Sequence, residues 1–320
     1  MTFKLIDQPV KIALKQYNDL RTKLVNQLLS EGSVLSVYQM GSVKDPGISD
    51  LDIICIFKND STCNADLRNN LTINEKKILT HGIFGLEVKD LEKTISYNLL
   101  SNLKFLGGEN LNLDENQTIF SQELKDQIAL EYMIKMYITL DTQIKLKTVK
   151  LRSFLLLGKA IKFDLELLGI KDGELFNLVN KILDYRSTWF KNKHKEKEIK
   201  ELVLSFYLEL EQLLMTILEK EDFYLPYNNI SLPGNFKILR GEYFHKDHRG
   251  IVLPSVFQFM GKKFINLQYR LNEFKYYIPY KIPGDSTLLD DRFKFSKQMV
   301  SKNMVSYPHY MAITSSLSIY

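Results

Sequence analysis

Residues 41–57 read GSVKDPGISDLDIICIF. The closing run, Ile53 to Phe57, is unbroken and apolar, which predicts a strand buried on both faces. Two acids, Asp50 and Asp52, stand at its mouth. Residues two apart on a strand point to the same side, so the pair presents two carboxylates on one face, with Cα atoms roughly 6–7 Å apart. Leu51 and Ile53 turn the other way, into apolar packing. Like charges this close raise each other's pKa unless something positive lies between them. A divalent metal meets that need. Mg²⁺ prefers oxygen and is commonly held by one or two carboxylates together with substrate phosphates. Two carboxylates can also bridge a pair of metals about 3.5–4 Å apart, an arrangement suited to in-line displacement at phosphorus. The preceding Gly41-Ser42 offers close backbone approach and a hydroxyl for phosphate oxygens, and Lys44 adds a cation.

The elements on either side fit an α/β unit. Apolar positions Ile12, Tyr17, Leu20, Leu24 and Leu28 recur at helical spacing over 9–31, with Gly32 as a stop. VLSVYQM (34–40) predicts a strand, and the polar segment after Phe57 leads into a helix expected over 64–79. A third strand is expected at 83–88 and a fourth around Gly107-Gly108. From about 121 to 220, four long segments carry apolar residues three and four apart, which predicts a helical bundle. The basic run KNKHKEKEIK before the last of them reads as a solvated connection and helix start. Residues 225–284 are mixed: NFKILRG and GIVLPSV flank HKDHRG, read as the turn of a hairpin, YYIPYKIPG reads as irregular, and a last helix is expected over 286–304. The fold class is therefore α+β, with an N-terminal α/β domain on a mixed sheet over 1–120. A helical bundle with a C-terminal hairpin and helix follows over 121–320.

Composition narrows the function classes. The chain has 320 residues, 45% hydrophobic and 25% charged, and a net charge of +5. That balance is mildly basic, which suits a polyanionic ligand without demanding nucleic acid. No stretch approaches the roughly 20 apolar residues of a membrane span, and the N-terminus lacks a signal-peptide pattern. With only two cysteines, Cys55 inside a buried strand and Cys63, a cytoplasmic protein without a disulfide framework is the expectation.

Gly41-Ser42, a short loop, then Ser49-Asp50-Leu51-Asp52-Ile53 resembles the signature of the DNA polymerase β-like nucleotidyltransferase superfamily. In that family a hydrophobic strand runs into Gly-Ser, and Asp-x-Asp follows in a second hydrophobic strand. The resemblance is strong over about 25 residues and weaker to about 120. It implies Mg²⁺-dependent transfer of a nucleoside monophosphate from ATP or another nucleoside triphosphate to an acceptor hydroxyl. Asp50 and Asp52 would then ligate metal, and Gly41, Ser42, Lys44 and Ser49 would hold the triphosphate. Members often carry a third carboxylate on a later strand; Glu87 is the candidate, as catalytic base or ligand, with Asp90 and Glu109 as rivals.

Other residues are weighed against simpler roles. Arg152, Lys159 and Lys162 share one helix face and could clamp the triphosphate, though an ordinary polar face is the simpler reading. His245 and His248, three apart, have no second ligand pair nearby, so a polar turn is expected rather than a zinc site. His81 stands before the third strand, where a structural role is favoured, and Trp189 reads as packing. The weak basicity favours a small-molecule acceptor over nucleic acid. Two alternatives stand: an RNA-modifying or second-messenger enzyme, and a non-catalytic regulatory or antitoxin-like module on the same fold.

Overall fold

The computed structural model describes residues 3–113, 120–254 and 262–317. In chain order the elements are β1 (Lys4–Ile6), α1 (Leu14–Ser30), β2 (Val34–Met40), β3 (Asp52–Phe57), α2 (Ile73–Ile78), β4 (Ile83–Glu87), α3 (Leu91–Asn98) and β5 (Leu103–Gly108). Then come α4 (Gln122–Lys145), β6 (Thr148–Lys150), α5 (Leu151–Leu167), α6 (Glu174–Thr188) and α7 (Glu196–Leu218). The chain closes with β7 (Asn229–Leu232), β8 (Phe236–Arg240), β9 (His245–Gly250), α8 (Lys262–Leu271), β10 (Asn272–Ile278), α9 (Leu288–Ser306) and β11 (Tyr310–Met311). The protein is α+β, and it divides into two units. One comprises Pro9–Leu124 with Asp291–Ser315; the other comprises Met1–Gln8, Lys125–Asp290 and Ser316–Ile319. The C-terminal segment 291–315 belongs with the N-terminal unit.

The N-terminal unit is organised by a mixed sheet in the order β11-β4-β3-β2-β5. β3 runs antiparallel to β2 and parallel to β4. Alternation along β3 explains its apolar run. Leu51, Ile53, Cys55 and Phe57 pack with Tyr17, Leu20, Leu24 and Leu28 of α1. Ile54 and Ile56 face the other side, with Leu91, Phe295, Met299 and Ile313. Each such side chain stabilises the fold by roughly 1.5–3 kcal/mol when fully buried. The C-terminal segment thus supplies the second layer: α9 brings Phe295 and Met299, and β11 joins the sheet edge beside β4. Behind it, Tyr307 stacks on Phe57 with ring centroids 4.0 Å apart.

The helix expected over 64–79 is shorter than its pattern. The Asp66 carboxylate accepts the backbone N–H groups of Arg68 and Asn69, both at 3.1 Å, a local turn that competes with helix. α2 begins only where Thr72 and Glu75 cap each other reciprocally: the Glu75 N–H donates to Thr72 Oγ1 at 3.2 Å, and the Thr72 N–H donates to Glu75 Oε2 at 2.7 Å.

In the second unit, α5 packs on α6 and α6 on α7. Gly158 permits the first approach, since a Cβ there would stand 2.6 Å from Ile182 Cγ2. The sheet of this unit runs β7-β8-β10-β9, and β1 pairs with β6 in a separate ribbon. The hairpin expected here is corrected. HKDHRG is not its turn but strand β9, antiparallel to β10; the hairpin is β7–β8, turning at residues 233–235. Residues 255 and 256 of GIVLPSV lie outside the described residues. Polar β9 is held extended by cross-strand stacking of His245 on Tyr277 and of His248 on Phe274, at 4.2 and 4.6 Å. Residues three apart on a strand face opposite sides, so His245 and His248 cannot share one metal. Among the described residues, no helix is long and apolar enough to cross a membrane.

Candidate metal and phosphate site

Asp52 opens β3, and Asp50 lies just before it, so only one of the two acids is on the strand itself. Two backbone ties fix this entry. Asp52 is the cross-strand partner of Met40, the last residue of β2, and the Leu51 N–H donates to Ile78 O at 3.0 Å. The segment after α2 then passes in front of the acids. Thr80 Oγ1 donates to Asp50 Oδ2 at 3.2 Å, and His81 Nε2 lies 2.5 Å from Asp52 Oδ1. One ligand atom from each of Asp50, Asp52 and His81 lies within 4.8 Å of the others, and all three residues are half-buried.

The protons follow from the partners. His81 Nδ1 faces the Gly82 carbonyl at 2.7 Å, which only accepts, so Nδ1 carries hydrogen. A second proton then lies between Nε2 and Asp52. Burial alone would pull the imidazole down, but the hydrogen bond and charge of Asp52, the Gly82 carbonyl and the charge of Asp50 together hold it above its ordinary value. Asp50 is raised, first by burial and then by Asp52, with His81 and Thr80 offsetting part of the shift. The His81 ring and the proton it shares with Asp52 therefore take the place a cation would hold between two like charges. Nε2 can become a metal ligand only by giving up its shared proton.

Gly41 follows β2, one residue beyond the partner of Asp52. It sits at φ +67°, where a side chain is strained, and nothing lies within 4 Å of where its Cβ would be. Its own N–H is committed to Asn102 O at 3.1 Å, so it does not serve a phosphate. Ser42 and Lys44 are exposed, and among the described residues their side chains have no hydrogen-bond or ion-pair partner. Ser49 is buried, and its hydroxyl accepts the Asp45 N–H at 3.2 Å. The loop is pinned by Tyr17, whose hydroxyl donates to Ser49 O at 2.6 Å and accepts the Gly47 N–H at 2.9 Å.

Glu87 does not join the aspartates. It pairs with Phe57 at the other end of β3, five residues from Asp52 and so roughly 16 Å along the strand. There the buried carboxylate accepts from Lys302 at 2.9 Å, Lys89 at 3.0 Å, Tyr307 at 3.1 Å and the Asp60 N–H at 3.1 Å. Burial pushes its pKa up, but these partners win and hold it down at about 2. It is a structural anchor tying α9 to the sheet. Asp90 is likewise bound to Lys302 at 2.7 Å, and Glu109 follows β5 at the end away from Asp52. Arg152 and Lys159 lie on α5 of the other unit, and Lys162 donates to Asn180 at 3.2 Å. The residue undervalued from sequence is His81. Its signal was positional: β4 runs parallel to β3 with Ile54 opposite Phe84, which brings the residues just ahead of Ile83 level with Asp50–Asp52.

The depressed Glu87 pKa has a testable sign. A carboxylate held below its unfolded value contributes stability above pH ~4.5, and loses it as the pH falls toward 2. Glu87→Gln should cost the N-terminal unit about 2–3 kcal/mol at pH 7. It should also flatten the loss of stability between pH 4.5 and 2. Hydrogen exchange of β3 and β4 across that range is the measurement; an unchanged acid slope would refute the assignment.

Compared with protein-family models, with curated proteins and with solved structures, this chain matches none.

Proposed function

We propose that the N-terminal unit is a divalent-cation-dependent nucleotidyltransferase module of the DNA polymerase β-like kind. It would move a nucleoside monophosphate from a nucleoside triphosphate to a hydroxyl, with a small molecule as the acceptor class. One observation carries this reading. Asp50, Asp52 and His81 converge within 4.8 Å at the start of β3, beside the Gly41-Ser42 turn that leaves β2 opposite Asp52.

The donor set fits a divalent cation: two carboxylates suit Mg²⁺, and the added imidazole suits Mn²⁺ or Zn²⁺ as well. Such an ion, when bound, supplies charge neutralisation of the triphosphate and polarises the phosphoryl group. The chain's own residues do the rest. Asp50 is oriented by Thr80 and Asp52 by β3. Ser42 and Lys44, both exposed on the turn, would supply a hydroxyl and an ammonium to phosphate oxygens. The acceptor oxygen would attack the α-phosphorus as pyrophosphate leaves, and Asp52 Oδ2, the carboxylate oxygen that His81 leaves open, would receive the hydroxyl proton.

A second reading, a module that binds nucleotide without turnover, is favoured by one feature: among the described residues, the third corner holds an imidazole and not a carboxylate. A thermal-shift panel separates the cases, using the four ribonucleoside triphosphates with Mg²⁺, with Mn²⁺ and with chelator. A cation-dependent rise with at least one nucleotide is expected, of the size that ligand linkage gives. Pyrophosphate release under the same conditions then marks turnover. No cation-dependent shift with any nucleotide would sink both readings.

A further inference from the structure

The C-terminal unit holds a cavity of about 230 Å³ that no part of the aspartate site uses. Ile138, Leu232, Pro233, Phe236 and Leu317 give it an apolar wall. Four lining residues are polar: Lys135, Thr139, Thr142 and Tyr269. Both threonines spend their hydroxyl protons on α4, Thr139 on Lys135 O at 2.8 Å and Thr142 on Ile138 O at 2.7 Å. The other two are unspent. Among the described residues, neither the half-buried Lys135 ammonium nor the Tyr269 hydroxyl has a hydrogen-bond or ion-pair partner. Burial, with nothing opposing it, pulls the Lys135 pKa below its ordinary value. An unpaired amine against an apolar wall is costly to the fold on its own, and an anion entering the cavity would remove that cost.

We propose that this cavity is a binding site for a small monocarboxylate with an apolar body, with Lys135 as counter-ion and Tyr269 as hydrogen-bond donor. The volume lies below the roughly 300–1,000 Å³ of pockets for drug-sized ligands, which limits the body to a short alkyl chain or a single ring. One carboxylate matches the single cation in the lining. Phosphate esters of nucleotides fit poorly, because among the described residues the lining offers them no further cation.

The test uses the full chain and two probes, octanoate and its uncharged counterpart 1-octanol, in isothermal titration calorimetry. Octanoate should bind saturably with a Kd of about 1 mM or tighter. Lys135→Met keeps the apolar stem and removes the charge; it should weaken octanoate at least about tenfold while leaving octanol unchanged, as loss of a charge-assisted bond requires. Ile138→Trp, which fills the cavity, should remove binding of both. If Lys135→Met unfolds the chain, Ile138→Trp still decides the question. The proposal is overturned by no saturable octanoate binding, by equal weakening of both probes in Lys135→Met, or by unchanged octanoate binding in Ile138→Trp.

Discussion

Replacing Asp52 with asparagine should, on the proposed nucleotidyltransferase reading, lower cation-dependent turnover of nucleoside triphosphate by at least about 10³-fold, roughly 4 kcal/mol of transition-state stabilisation. The same variant should unfold at an equal or higher temperature than the parent. Both halves follow from the site. The carbonyl of the substituted amide can still accept from His81 Nε2, so the hydrogen bond seen at 2.5 Å has a replacement. What disappears is one of two adjacent negative charges, the one that helps to raise Asp50. In the proposed role Asp52 serves a cation, and a charge kept for that purpose costs the fold on its own, so its removal trades activity for stability. Steady-state pyrophosphate release and a thermal melt on one preparation read the two effects. Turnover within about threefold of the parent, under 1 kcal/mol, would remove Asp52 from the chemistry. A large fall in melting temperature would instead make the pair structural.

Much of the N-terminal sheet was legible because its signals are local. An apolar run cannot hide its need for cover on both faces, and VLSVYQM coincides with β2. The tertiary part of that cover was not legible. The second face of β3 is closed by Phe295, Met299 and Ile313, more than two hundred residues away, and sequence patterning carries no information on which distant helix answers a strand. Glu87 illustrates the same limit. Reading a strand-end acid as a third ligand requires knowing which end of the sheet it stands at, and that depends on the parallel pairing of β3 with β4. β10 was missed for a different reason. NEFKYYI alternates buried and half-buried residues along its whole length, but the following Pro and Gly residues drew the segment toward an irregular reading. In β9, polar composition argued for a turn, whereas pairing to β10 and ring stacking on Phe274 and Tyr277 outweigh composition.

The largest stability effect is expected at Lys246, where polar β9 meets the core of its unit. Its ammonium lies 3.1 Å from Asp141 Oδ1 and 2.5 Å from Glu211 Oε1, donates to Tyr137 at 2.7 Å, and also reaches Tyr207. Burial pulls the lysine pKa down, but Asp141, Glu211 and Tyr207 outweigh it and hold the ammonium above its ordinary value. Its contribution is therefore intact at neutral pH, and would be lost only above the normal lysine range. Asp141 is buried, with Tyr207 at 2.7 Å and Tyr276 at 2.9 Å completing its shell. Two tyrosine hydroxyls satisfy its lone pairs but leave its charge uncompensated once the lysine is gone. Lys246→Met should therefore cost about 3–5 kcal/mol, the penalty for breaking a buried pair from one side. Adding Asp141→Asn removes the stranded charge while keeping an acceptor for the tyrosines, and should recover more than half of that loss. Urea unfolding followed by tryptophan fluorescence is well placed to read this. Trp189 is the only tryptophan in the chain and caps α6 in the same unit as Lys246, so the signal reports that unit. The midpoint should fall with the slope unchanged. A single-variant loss under about 1 kcal/mol, the range of exposed ion pairs, or no recovery in the double variant, would mean that hydroxyls and packing hold this core and the buried charge pair does not.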